Sequence, residues 1–305
     1  MSQYPLSSYN LGEPLGHLVD VSGWAVHVYG MGQTSGRPTV WLENGLLGTT
    51  LGWGALQTLL AHHTRVMAYD RAGTGWTSPR DIYRTAQNEA DEFTALLDAL
   101  GERDPIIIVA WSAGGLVARA FAADHPERVA GLVLLDATPP NYDAWAIHAY
   151  PDRYWQETQT RMEQIRGFAE LATHGQLTRE HIAGWITPSV LEQHGQRYLR
   201  LILNSPHYWW TYYWQNQFAV TRGAQVQRKQ LRRNLPLQVM VASQLPADPD
   251  PYQQTTTRMW QAMQLAVTTQ TDNVTVTWLD AGHAIHREQP QSVVNAVLAI
   301  IREVA

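Results

Sequence analysis

Three residue types in this chain can combine into nucleophilic chemistry. The run Ala110-Trp111-Ser112-Ala113-Gly114-Gly115 joins a wholly apolar segment to a small-residue segment. A serine in such a strand–turn–helix elbow is held exposed at the helix N-terminus, and small residues two before and two after it let strand and helix approach. Ala110 stands where the first glycine of a G-x-S-x-G pattern usually falls. A serine that merely caps a helix is the plain alternative. Late in the chain, Leu279-Asp280-Ala281-Gly282-His283-Ala284-Ile285-His286-Arg287-Glu288-Gln289-Pro290 offers a base in His283. His286 is the weaker candidate and is expected to be structural; His283-x-x-His286 as a metal pair lacks a third clustered ligand.

A base of this kind needs a carboxylate on its other ring nitrogen to fix the tautomer and to stabilise the imidazolium. Two aspartates can supply it. Asp136 ends an apolar segment, and Asp248 follows a later one; Asp136 is preferred. Asp250 and Asp280 are further loop aspartates that could serve, and for each of the four a loop aspartate that only caps the next segment is the plain alternative.

These groups must be carried by a scaffold, and the patterning predicts one. Strands are expected at Trp24 to Tyr29, Thr39 to Leu42, Val66 to Tyr69, Pro105 to Ala110, Val129 to Leu135, Leu237 to Ala242 and Val274 to Leu279. The continuously apolar Ile106 to Ala110 reads as a strand buried on both faces. Helices are expected near Leu51 to Leu60, Thr85 to Leu100, from Gly114, near Thr255 to Ala266 and from Gln291 to Val304. Alternation of this kind predicts an α/β fold with a mostly parallel central sheet flanked by helices. Residues 139–234 carry amphipathic helical segments rich in Trp, Tyr and Gln and read as an inserted helical cap; 1–138 and 235–305 form the core domain.

Composition removes other classes. A chain of 305 residues, 45% hydrophobic and 16% charged, can bury one large core. Its net charge of -5 comes with no basic stripe, so no nucleic-acid partner is expected. There is no cysteine, which excludes thiol nucleophiles and thiolate metal sites, and the single lysine, Lys229, lies in a polar run that gives Schiff-base or Ser-Lys chemistry no support. Met1-Ser2-Gln3-Tyr4-Pro5 lacks the regions of a secretion signal, and no apolar run could span a bilayer; a cytoplasmic location is expected. The sequence specifies no oligomeric state.

Five collinear segments resemble the α/β-hydrolase superfamily, in particular bacterial esterase-like members with a helical cap. They are Glu43-Asn44-Gly45-Leu46-Leu47-Gly48 with Trp53, Tyr69-Asp70-Arg71-Ala72-Gly73-Thr74-Gly75-Trp76, the Ser112 elbow, Val129 to Ala137 and the Gly282-His283 loop. The resemblance implies the α/β-hydrolase fold and a serine hydrolase with Ser112 as nucleophile and His283 as base. It implies an oxyanion hole from the backbone N–H groups of Leu46 and Ala113, with Asp70 and Arg71 as scaffold. Asn44 stands where many relatives carry a histidine. No metal or organic cofactor is required by such chemistry. The aromatic content of the cap, Tyr142, Trp145, Tyr150, Tyr154, Trp155, Trp185, Tyr198 and the run His207 to Trp214, suits a bulky apolar ester or lactone. Trp111, Trp145, Trp209, Trp210, Tyr213 and Trp214 are the candidate substrate contacts. Glu157, Glu163 and Glu170 could instead hold an amine, although their spacing suits solvated helix faces. The same residues could serve a C–C bond hydrolase or a peptidase, or remain in a ligand-binding homologue of weak activity.

Overall fold

The computed structural model describes residues 10–185 and 188–304, so Met1 to Pro5 lie outside the described residues. Eight strands form one sheet: β1 (His17–Val21), β2 (Trp24–Met31), β3 (Val40–Glu43), β4 (Val66–Tyr69), β5 (Ile106–Trp111), β6 (Val129–Leu135), β7 (Leu237–Ala242) and β8 (Val274–Leu279). Their spatial order is β1-β2-β4-β3-β5-β6-β7-β8. β4, β3, β5, β6, β7 and β8 pair in parallel, whereas β1 with β2 and β2 with β4 are antiparallel. The expected mostly parallel sheet is thus present. β1 is an addition: His17-Leu18-Val19-Asp20-Val21 is short and largely exposed, as an edge strand can be. The central β5 and β6 are buried almost throughout, which their unbroken apolar runs require.

The helices are α1 (Gly54–Ala61), α2 (Ala86–Ala99), α3 (Gly114–Asp124), α4 (Tyr142–Ala149), α5 (Pro151–Thr173), α6 (Pro188–Asn204), α7 (Pro206–Gln217), α8 (Ala219–Gln227), α9 (Pro251–Gln264), the single turn α10 (Ile285–Glu288) and α11 (Pro290–Val304). One sheet face is covered by Phe93, Leu96 and Leu97 of α2, Leu116, Val117 and Phe121 of α3 and Val226 of α8. The other is covered by Leu56 and Leu60 of α1 and by Val293, Val297, Ile300 and Ile301 of α11, an i, i+4, i+7, i+8 stripe. α4 to α8 follow one another between β6 and β7, with no strand between them among the described residues. They share a core of their own around Ile165, Phe168, Leu201, Ile202, Tyr208 and Trp209. α9 begins four residues before its expected start because Asp250 accepts from Gln253 N–H while the Gln253 side chain reaches back, a capping box with Pro251 in the first turn.

Buried charges tie this helical segment to the sheet layer. Glu89 of α2 accepts from Arg222 Nη1 of α8 at 2.8 Å and from Gln215 Nε2 of α7 at 2.8 Å. Arg84 Nε at 3.5 Å and Arg71 Nε at 3.9 Å lie close to the same carboxylate. Burial alone would raise the Glu89 carboxyl, but the guanidiniums of Arg222, Arg71 and Arg84 outweigh it and hold it down to about 2. A carboxyl depressed on folding contributes stability that is present above its ordinary value of 4.5 and lost as pH falls towards 2. Glu89→Gln leaves three guanidiniums short of a counter-charge and is expected to cost about 3–5 kcal/mol. It is also expected to flatten the loss of stability in that acid window. Urea denaturation of both proteins across pH 2 to 7 is the check.

Candidate active site

β5 ends at Trp111 and α3 begins at Gly114, so Ser112 and Ala113 make the whole turn. Ser112 is held at φ 53°, a left-handed conformation that a non-glycine residue adopts at a cost of order 1–3 kcal/mol. Its backbone is locked there: Ser112 N–H donates to Leu135 O at 3.1 Å, and Ser112 O accepts from Thr138 N–H at 2.9 Å and Gly115 N–H at 3.0 Å. The turn also needs glycine at its contact points. A Cβ on Gly114 would lie 2.4 Å from Asn44 O, and one on Gly45 would lie 3.0 Å from Ser112 Cβ. The loop after β3 can therefore press against the serine only because both positions lack a side chain.

That loop is pinned from below. Arg71 Nη1 donates to Asn44 O at 2.6 Å and to Glu43 Oε1 at 2.5 Å, and its Nη2 donates to Gly45 O at 2.5 Å. Asn44 Nδ2 donates to Tyr69 O at 3.1 Å. Burial pushes the Glu43 carboxyl up to about 7, against the pull of Arg71 and the Tyr69 hydroxyl. Asp70 gathers His27 Nδ1 at 2.8 Å and the N–H groups of Thr50 at 2.7 Å and Trp76 at 3.2 Å. Asp70 and Arg71 spend these bonds on neighbouring loop residues and so hold the turns around the serine.

His283 follows β8 on a loop fixed at both sides. Trp111 Nε1 donates to His283 O at 2.7 Å, and Glu288 Oε2 accepts from Gly282 N–H at 2.7 Å. The imidazole lies with Nε2 2.9 Å from Ser112 Oγ and Nδ1 2.5 Å from Asp136 Oδ2. An ionised carboxylate only accepts, so Nδ1 carries the proton and Nε2 is left to accept from the serine hydroxyl. Asp136 stands directly after β6 at φ 39°, and its other oxygen, Oδ1, accepts from Gln264 Nε2 at 2.6 Å and from Ala242 N–H at 3.4 Å. Asp248, the alternative acid, is exposed, and it is Asp136 that bonds the ring; Asp250 caps α9 and pairs with Arg153, and Asp280 meets Gln244. His286 is buried with its ring 4.7 Å from Trp53 and 4.6 Å from Trp111. Burial, with Arg287 and His283 adding to it, holds its imidazole well below the ordinary histidine range, so it stays neutral.

A cavity of about 260 Å³ opens over the serine, and Leu46, Ser112 and Ala113 lie together in its wall. Its aromatic lining is Tyr142, Tyr154, Tyr252 and Trp260, and its polar lining includes Asp143, Glu157, Arg161 and Arg222. A second cavity of about 410 Å³ lies on the histidine side, bounded by Asp136, Gly282 and His283. Tyr142 and Trp260, stacked edge to face at 4.9 Å, are common to both walls. None of the six aromatics expected as substrate contacts lines the serine cavity. Trp111 flanks His283, Trp145 stacks between Tyr142 and Tyr150, and Trp209 is core, its Nε1 donating to Ile202 O at 2.8 Å. Tyr213 lines an adjoining cavity of about 400 Å³, while Trp210 and Trp214 face a separate one of about 710 Å³ beside Arg80 and Arg84. Tyr252 and Trp260 come from α9, outside residues 139–234, and were not anticipated.

Comparison with known proteins follows the same outline. A model of the alpha/beta hydrolase family matches residues 26–297. A protein of Gibberella zeae named as an AB hydrolase superfamily protein is 32% identical over 108 residues, which is 34% of this chain and 34% of that protein. A 2-hydroxy-6-oxo-2,4-heptadienoate hydrolase of Pseudomonas putida is 31% identical over 137 residues, 44% of this chain and 49% of that protein. The chain therefore spans between a third and a half of the length of these relatives. The crystal structure of an enol-lactonase from Burkholderia xenovorans superposes with a TM-score of 0.65 at 18% identity, covering 93% of this chain and 99% of that one, a likeness of fold. Among the described residues no helix is long and apolar enough to cross a membrane.

Proposed function

Because this chain belongs to the alpha/beta hydrolase family, we propose that it is a serine hydrolase that cleaves a carboxylic ester or lactone through an acyl-serine intermediate. The observation that carries this reading is the continuous contact from Ser112 Oγ through His283 to Asp136, 2.9 Å on one side of the ring and 2.5 Å on the other. In this reading Ser112 Oγ attacks the carbonyl as its proton passes to His283 Nε2. The negative charge that develops on the carbonyl oxygen is accepted by the N–H groups of Leu46 and Ala113, each such donor contributing on the order of 3 kcal/mol. His283 then protonates the leaving alcohol and activates the water that frees the acid. Asp136 steadies the imidazolium in both halves. The chemistry needs no cofactor. Helices α4 to α8 serve as the cap, and with α9 they supply Tyr142, Tyr154, Tyr252 and Trp260 as a surface for a bulky apolar part of the substrate.

The similarity to the 2-hydroxy-6-oxo-2,4-heptadienoate hydrolase favours a second reading, hydrolysis of a carbon–carbon bond beside a carbonyl by the same residues. A panel of esters, lactones, amides and diketones, with fluorophosphonate labelling of Ser112, separates the two. The proposal predicts labelling and ester or lactone turnover; an unlabelled folded protein would sink it.

Trp260 and Tyr142 form the partition between the two cavities that meet at the site. Trp260→Ala removes most of that wall, and the kcat/KM ratio for esters of a bulky over a small alcohol is expected to rise roughly tenfold, a gain typical of space made for added methylenes. Steady-state kinetics on such a series is the measurement.

A further inference from the structure

Four charged side chains line the cavity over Ser112, and they are not equally satisfied. Both acids have partners. Asp143 Oδ1 accepts from the Tyr154 hydroxyl at 2.9 Å, and Glu157 accepts from Arg153 Nε at 2.8 Å and from the Tyr252 hydroxyl at 3.4 Å. The guanidiniums are worse served. Arg222 spends Nη1 on Arg84 O and Glu89 Oε2, but its Nη2 is buried without a partner among the described residues. Glu89, the carboxylate that answers Arg222, is shared with Arg84 and Arg71. Burial accordingly pushes the Arg222 guanidinium below its usual range despite Glu89. Arg161, exposed at the cavity wall, donates only a long hydrogen bond, to Thr158 Oγ1 at 3.5 Å, and with Arg222 it attracts the Asp143 carboxyl without a direct hydrogen bond to it among the described residues. A buried N–H without an acceptor is a standing cost that a bound acceptor relieves, and a guanidinium fork matches a carboxylate best.

We propose that the cavity contains an anion subsite, with Arg222 at its base and Arg161 at its wall, and that the substrate carries a carboxylate held there while its scissile carbonyl lies at Ser112. The placement of the reacting bond rests on the serine-hydrolase reading; the binding of the carboxylate does not. The subsite makes Arg222 and Arg161 specificity residues that act on the substrate's remote end.

The test uses the full chain carrying Ser112→Ala, so that binding is measured without turnover. Phenyl hydrogen esters of succinic, glutaric, adipic and suberic acids are compared by calorimetry with the corresponding phenyl methyl diesters. For at least one chain length the free carboxylate is expected to bind about tenfold or more tightly than its methyl ester, as a charge-assisted contact should. That preference should shrink at least severalfold on adding Arg222→Gln or Arg161→Gln; the exposed Arg161 carries little folding risk if Arg222→Gln proves unstable. Equal binding of the two series at every length, or a preference that survives Arg161→Gln and a folded Arg222→Gln undiminished, overturns the subsite. The other reading fails separately: if wild type releases no phenol from either series and takes no fluorophosphonate while the Arg-dependent preference holds, the anion site stands and the acyl-serine chemistry falls.

Discussion

Replacing Ser112 with alanine is expected to lower kcat/KM for an ester substrate by roughly 10⁵-fold or more, and to abolish fluorophosphonate labelling, with the fold intact. Under the proposed mechanism the size follows from how such residues work as a unit: once the attacking oxygen is gone, the base has no proton to take and only binding and the oxyanion donors remain. Alanine at this position keeps the left-handed turn at φ 53° and introduces no atom that must displace Gly45 or Asn44. Thermal unfolding should therefore change little while activity vanishes. Full activity in a folded Ser112→Ala protein would remove the serine from the mechanism.

Asp136→Asn should be the second large loss, about 10⁴-fold in kcat. The surroundings of Asp136 dictate how the amide would settle. Gln264 Nε2 and Ala242 N–H both donate to Oδ1, so the amide oxygen of asparagine is drawn to them and its NH₂ is turned towards His283 Nδ1. Facing a donor, Nδ1 must accept, which moves the ring proton to Nε2 and leaves nothing to receive the proton of Ser112. Asp248→Asn is expected to stay within about twofold of wild type, because Asp248 is exposed and asparagine tolerates its left-handed backbone. Single-turnover kinetics of the two variants decides the matter; the opposite pattern would move the acid to Asp248.

The central strands could be read directly because β5 and β6 are buried on both sides, so their sequences are apolar at every position. The elbow and the histidine loop were legible for a related reason: strand, serine, glycines and late histidine occur in a fixed order that few other folds would produce. The edge strand β1 escaped notice because half-exposed residues need not be apolar. Asp250-Pro251 was weighed as a loop acid when its real work is to start α9, and that start carries Tyr252 and Trp260 into the cavity. Which aromatics of residues 139–234 face the serine was not legible at all. A run such as Tyr208-Trp209-Trp210 is aromatic on every side of its helix, so composition could not say that Trp209 would be core and Trp210 would face another cavity.

The attachment of Arg222 and Gln215 to Glu89 also bears on how a substrate arrives. If α7 and α8 swung away from α2 as a body, the carboxylate would be separated from a buried guanidinium, at about 3–5 kcal/mol. A detached state would then be populated at only about one part in 10² to 10⁴. A path to Ser112 between side chains would need no such swing. Tyr154, Thr158, Asn216 and Ala219 are common to the cavity over Ser112 and to the adjoining cavity between α5 and the α7–α8 pair, which is bordered by the exposed Trp155 and Val220. Traffic between side chains of that shared wall would be set by their rotation, in nanoseconds, rather than by domain motion in micro- to milliseconds. Association should accordingly behave as a simple bimolecular step, first order in substrate up to high concentration, with no unimolecular plateau of the kind a gate imposes.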